Sequence, residues 1–332
     1  METRALGPLG PVSVLSLGGL GIGGMWGETS HREAVLTVYA AVDAGITLVD
    51  VAPAYGKGEA EHVVGAAFGG KLPDGVRITT KCNLGSPARH EIMPKLERSL
   101  TRSLEAMKLE RVDLFFLHSN ICPDDYIYAR ETASQKSWAT RWSLYVEGVV
   151  PAFKALQKKG LIRAWGITGT GLPNTIMQAL RHEDKPAAVQ VTTNLLDSPG
   201  SMRFFEEPPE PRNILRTAVN NGVGVMGIRA VQAGALTAKL DRLLPEKHPE
   251  RVDYTKATSF RALAAELKED PAVLAHRYAL ALPGVDTVVL GVKNRAELDA
   301  VVAGVATGPL DPAIIVRIDA LGLARQMPRM PI

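Results

Sequence analysis

Eight short runs rich in β-branched and aromatic residues recur along this 332-residue chain, and segments of helical periodicity lie between most of them. The runs fall at 12–17, 48–50, 77–81, 114–118, 164–168, 188–191, 224–228 and 287–290. Helical patterns occupy 31–44, 59–68, 91–107, 145–159 and 213–221. In the clearest of these, 91–107, Ile92, Leu96, Leu100, Leu104 and Met107 share one face at three- and four-residue steps. Gly45, Gly160 and Gly222 stand where three of these helices would stop. Strand and helix in alternation give a parallel sheet with helical crossovers, and eight strands close it into a (β/α)8 TIM barrel. An open doubly wound sheet is the alternative. It is disfavoured because GGLGIGG, at 18–24, only loosely approaches the compact glycine fingerprint such sheets carry.

A barrel of this kind accommodates residues 1–332 as a single domain. The formal net charge of +3, from 38 basic and 35 acidic residues with no basic run, argues against a nucleic-acid or membrane-surface partner. A small-molecule substrate is expected instead. Cys82 and Cys122 are too few for a disulfide framework and have no metal-binding spacing, so no metal is expected and the compartment reads as reducing and cytoplasmic. Cys82, next to Lys81, points the other way along its strand and reads as a small core residue. The opening METRALGPLG has no secretory-signal character, and no apolar stretch is long enough to span a bilayer. A self-contained barrel permits a monomer.

Four polar residues sit at strand ends, where barrel enzymes keep their chemistry: Asp50 and Tyr55 in TLVDVAPAYG, Lys81 in RITTKC and His118 in VDLFFLHS. A tyrosine, with a free pKa near ~10, gives up its proton at neutral pH only if a nearby cation stabilises the phenolate. Lys81 can supply that cation, Asp50 can hold the lysine charged and aimed, and His118 can hydrogen-bond a carbonyl oxygen. Such a cluster donates a proton without a covalent nucleophile or a metal. It suits hydride delivery from a nicotinamide.

These motifs, in this order, resemble the aldo-keto reductase superfamily, and the similarity runs from TRALGPLGPVSVLSLG to VVLGVKNRAEL. The resemblance implies that Tyr55 is the proton donor, that Lys81 lowers its pKa, that Asp50 pairs with Lys81 and that His118 orients the carbonyl. It also implies an NADP(H) cofactor and an aldehyde, ketone or sugar-type substrate. Gly19 and Leu20 in the glycine-rich loop and Asp50 would contact the cofactor. Thr168 and Gln190 would hold the nicotinamide, with Gly169 and Thr193 standing where the family carries an asparagine and a stacking aromatic residue. In MGIRAVQAGAL, Arg229 falls in the pyrophosphate loop. In LGVKNRAEL, Gly291 allows close backbone approach, while Lys293 and Arg295 would bind a 2′-phosphate, favouring NADP over NAD. Met25 and Trp26 after the first strand, and Trp138 and Trp142 in the long 119–141 connection, are candidates for the substrate pocket; 239–257 is a second long connection. Two other readings remain: an aldolase with Lys81 as Schiff-base lysine, and a nucleotide-binding sensor or channel-associated barrel with negligible turnover.

Overall fold

The computed structural model describes residues 1–128 and 137–324. It opens with a hairpin of β1 (Thr3–Ala5) and β2 (Pro11–Ser13), paired antiparallel. The barrel then begins with β3 (Leu15–Gly18), β4 (Leu48–Asp50), β5 (Arg77–Cys82) and β6 (Val112–Leu117). A short parallel pair, β7 (Asn120–Cys122) and β8 (Ala139–Arg141), stands outside it. The barrel resumes with β9 (Ile162–Thr168), β10 (Ala188–Thr192), β11 (Gly224–Ile228) and β12 (Thr287–Leu290), and closes where β12 pairs with β3. All eight barrel strands are parallel, as the alternating pattern predicts.

The expected first strand is in fact two. Ser13 makes the break: its hydroxyl donates to Leu15 O at 2.6 Å and accepts from the Thr47 N–H at 2.8 Å, turning the chain from the hairpin into the barrel. The hairpin plugs the N-terminal mouth, where Leu6, Leu9 and Val12 pack onto Leu48, Leu114, Phe116 and Met226. Gly7 (φ +49) allows this, since a Cβ there would lie 2.7 Å from Ala187 O and 2.8 Å from Gly224 N. With that end sealed, the opposite end is left for a ligand.

The helices cover the outside. Ile92–Met107 buries Ile92, Leu96, Leu100 and Met107 of the stripe its periodicity predicts, with Leu104 half-buried and Ser103 buried beside it. The expected 145–159 helix instead begins with a π turn, Tyr145–Val149, before the α-helix Val150–Lys158. Pro151 has no N–H to offer Glu147 O four residues back. Arg89 Nη2 donates to that carbonyl instead, at 2.8 Å. The second long connection, 239–257, contains the helix Pro249–Lys256. Part of the first, residues 129–136, lies outside the described residues. No described helix is long and apolar enough to cross a membrane.

Candidate active site

Side chains alternate in and out along a strand, so Thr79 and Lys81 of β5 both face the barrel interior beside Asp50, the last residue of β4. Lys81 is fully buried and Asp50 is 2% exposed. Lys81 Nζ lies 2.7 Å from Asp50 Oδ1 and donates to Val51 O at 2.9 Å. The same Asp50 oxygen accepts from Thr79 Oγ1 at 2.5 Å and from Gln190 Nε2 at 2.9 Å. Three donors on one buried carboxylate oxygen fix it firmly. Gln190, expected to bind nicotinamide, is thus also a clamp on Asp50. Thr79 was missed, although its place two residues before Lys81 puts it on the same strand face.

Tyr55 sits beyond β4 in a turn closed by its own N–H to Ala52 O at 3.0 Å. Its ring centre lies 4.8 Å from Lys81 Nζ and meets the His118 ring edge-on at 5.9 Å. Gly19 makes room for that ring, because a Cβ there would come within 3.0 Å of Tyr55 Cδ2. His118 directly follows β6 and donates its backbone N–H to Cys82 O at 2.8 Å. The four expected residues therefore converge.

The electrostatics differ from the sequence expectation at Tyr55. Burial raises its pKa more than Lys81 lowers it, and the net direction is up. Burial would depress Lys81, but Asp50 and then Tyr55 outweigh it, and the ammonium is held above its usual range. A lysine so strongly charged is a poor Schiff-base nucleophile. His118 is pushed down to about 3 by burial and then by Lys81, so its ring is neutral at physiological pH.

His276, buried in the helix Pro271–Ala281, is likewise lowered to about 4 by burial. Both imidazoles stay neutral in the fold under conditions where the unfolded chain, with histidines near ~6.5, takes up protons. Stability is therefore full above that value and lost as pH falls toward the folded pKa values. We expect urea midpoints to drop steadily from about pH 7 to pH 5, with a shallower slope in His276→Gln. Parallel slopes for the two proteins would contradict this assignment.

One cavity of about 520 Å³ opens from this cluster. Asp50, Tyr55 and His118 line one part of it, with Thr168, Gln190, Gly19 and Leu20. Arg229, Gly291 and Lys293 line it too, together with Trp26 and the 230–234 and 237–242 segments. Among the pocket candidates only Trp26 lines this cavity: its ring lies under Arg242, 5.0 Å from the guanidinium carbon. Met25 is half exposed and does not line it. Trp138 instead stacks on Phe204 at 5.9 Å, and Trp142 packs on Tyr145 and His182 at 5.7 and 6.1 Å. Trp138 thus packs on the segment that follows β10, and Trp142 on the start of its own helix and the end of the helix Pro173–Arg181.

The expected phosphate-binding cations are not equivalent. Arg295 is held outside the cavity by Glu33, which accepts from its Nε at 3.1 Å and its Nη2 at 3.0 Å. Lys293 lines the cavity and pairs with Asp241 at 2.5 Å and Glu297 at 2.8 Å. Arg229, in a left-handed conformation (φ +59), is pinned by Glu250 at 2.6 Å and Gln232 Oε1 at 2.7 Å. Asp241, Arg242 and Glu250 lay inside the long connection, where sequence periodicity gives no direction to a side chain. Among the described residues no cluster of three metal-ligating side chains forms.

The fold and site define a (β/α)8 barrel with a buried Asp–Lys pair beneath a tyrosine and a neutral histidine. A model of the aldo/keto reductase family matches residues 14–322, and the chain belongs to that family of oxidoreductases. It is 28% identical over 322 residues to the aldo-keto reductase YhdN of Bacillus subtilis, covering 90% of this chain and 87% of that one. To the L-galactose dehydrogenase of Arabidopsis thaliana it is 25% identical, covering 92% and 88%. An aldo-keto reductase of Klebsiella pneumoniae solved in complex with NADPH superposes with a TM-score of 0.67 at 21% identity, over 98% of this chain and 96% of that chain.

Proposed function

We propose that this protein transfers a hydride between NADP(H) and the carbonyl or alcohol carbon of an aldehyde, ketone or sugar-type substrate. The observation that carries the reading is the convergence of Asp50, Tyr55, Lys81 and His118 at a cavity that also reaches Gly291 and Lys293. The residues fit a dinucleotide. The cavity is within the usual range for small-molecule sites, roughly 300–1,000 Å³. It offers Thr168 and Gln190 beside the reacting end, and Lys293 just before the helix Arg295–Ala306 that Asn294 caps, at the other. The NADPH complex of the Klebsiella protein and the sugar named for the Arabidopsis enzyme support the same assignment.

A bound nicotinamide supplies the hydride. Tyr55 donates its phenolic proton to the substrate oxygen as negative charge develops there, and Lys81 stabilises the resulting phenolate. Asp50, fixed by Thr79 and Gln190, keeps the ammonium charged and in place. His118, being neutral, offers an N–H to the same oxygen without competing for the proton. Solvent then returns a proton to Tyr55. The direct test is NADPH and NADH binding by fluorescence, followed by initial rates with a panel of aldehydes, ketones and aldoses. Tight nucleotide binding with no turnover on any of them would favour a sensor role.

Cofactor choice has its own expected result. Lys293→Ala should weaken NADPH binding by about ten-fold or more and NADH little, since charge-assisted bonds to phosphate are worth roughly 1.5–3 kcal/mol. Arg295→Ala, whose side chain does not line the cavity, should change neither by more than about two-fold. Equal losses for both nucleotides in Lys293→Ala would remove this residue from 2′-phosphate recognition.

A further inference from the structure

A second cavity, of about 460 Å³, reaches the same reacting cluster from another side. Lys81 and His118 line it at the barrel mouth, and Lys95, Arg98 and Arg102 line it along the helix Ile92–Met107. The three cations are spaced three and four residues apart and so share one helix face. Lys95 is half-buried and anchored by its ammonium to Leu84 O at 2.6 Å. Arg98 and Arg102 are exposed, and among the described residues neither makes a hydrogen bond or ion pair. No aspartate or glutamate lines the cavity, whose other polar lining is Asn83 and Ser99.

Two arginines one turn apart repel each other and work against the helix that carries them. Glu97 of the same helix does not relieve the repulsion, because it pairs with Lys159. A concave lining whose charged side chains are all cations, and which ends on two residues of the reacting cluster, raises the local concentration of anions.

We propose that this cavity holds the far end of the substrate, and that this end carries an anionic group, a carboxylate or phosphate, bound by Arg98 and Arg102 with Lys95. The carbonyl then lies between Tyr55 and His118, with the chain of the substrate leading away from the cofactor. This assignment rests on the carbonyl-reducing reading and narrows its substrate class.

The test compares matched pairs: 4-oxobutanoate with its methyl ester, and glyceraldehyde 3-phosphate with glyceraldehyde, each as kcat/KM with NADPH at low and high salt. At least one charged member should exceed its neutral partner by about ten-fold at low salt, and the gap should narrow as salt screens it. Whichever pair shows the larger gap distinguishes carboxylate from phosphate. In Arg98→Gln/Arg102→Gln the preference should vanish through a raised KM, with the neutral substrates changed less than about two-fold. Arg98→Lys/Arg102→Lys, which keeps the charge, should retain most of it. Equal rates within both pairs, or equal losses for charged and neutral members in the glutamine variant, overturn the proposal.

A binding measurement separates this outcome from failure of the reductase reading. Calorimetric titration with 4-hydroxybutanoate and with glycerol 3-phosphate needs no turnover, and at least one should bind the native protein about ten-fold more tightly than the glutamine variant. Such a difference without reduction of any carbonyl would sink the reductase reading and leave the anion site standing. The same affinity for both proteins with both ligands would sink the anion site itself.

Discussion

Tyr55→Phe should lower carbonyl turnover by about two to four orders of magnitude, the usual contribution of a positioned general acid, while NADPH binding stays close to native. The phenyl ring preserves the edge contact with His118 and the packing over Gly19, so the loss would be chemical and not structural. The raised pKa of Tyr55 adds a second signature. A proton donor that stays protonated through neutral pH predicts carbonyl reduction that is flat with pH until the alkaline limb where the phenol ionises. Alcohol oxidation, which needs the phenolate to accept a proton, should rise with pH over the same limb. Initial rates in both directions across pH would check it. Reduction at the native rate in Tyr55→Phe would sink the proposed chemistry.

Lys81→Met should abolish activity and also destabilise the fold, because it leaves the Asp50 carboxylate buried without its counter-ion. Removing one partner of a buried pair costs about 3–5 kcal/mol. Thr79 and Gln190 still donate to Asp50 Oδ1, which places the expected loss near the lower end of that range. Urea unfolding reads it directly. Adding Asp50→Asn to Lys81→Met removes the stranded charge and should recover much of the stability, but none of the turnover. If the single variant were as stable as the native protein, the pair would contribute nothing to the fold. Recovery of stability alone would separate the two roles of Lys81.

Much of the barrel and the cluster at its mouth were legible before any coordinates. Apolar runs of β-branched residues marked the eight strands, and the position of Asp50 and Lys81 within those runs put both at strand ends. Helix periodicity located the buried stripe of Ile92–Met107 for the same reason: both patterns are local, set by neighbours a few residues away. The π turn before Pro151 was hidden in an otherwise regular helical pattern, and the Arg89 that donates to Glu147 O there comes from a distant segment.

Partner choice was the part that local pattern could not supply. Lys293 and Arg295 look alike in LGVKNRAEL, yet Glu33, more than two hundred and fifty residues earlier, draws Arg295 away from the cavity that Lys293 lines. Trp138 and Trp142 read as pocket residues in the sequence, yet the first stacks on Phe204 and the second packs against Tyr145 and, edge-on, His182. At Tyr55 the neighbouring cation was visible in the motif, but the burial that outweighs it was not. The chain's own pattern determined which residues stand at the mouth of the barrel. Only the closed tertiary structure decided which charges are already paired and how far water is excluded, because both depend on groups distant in sequence.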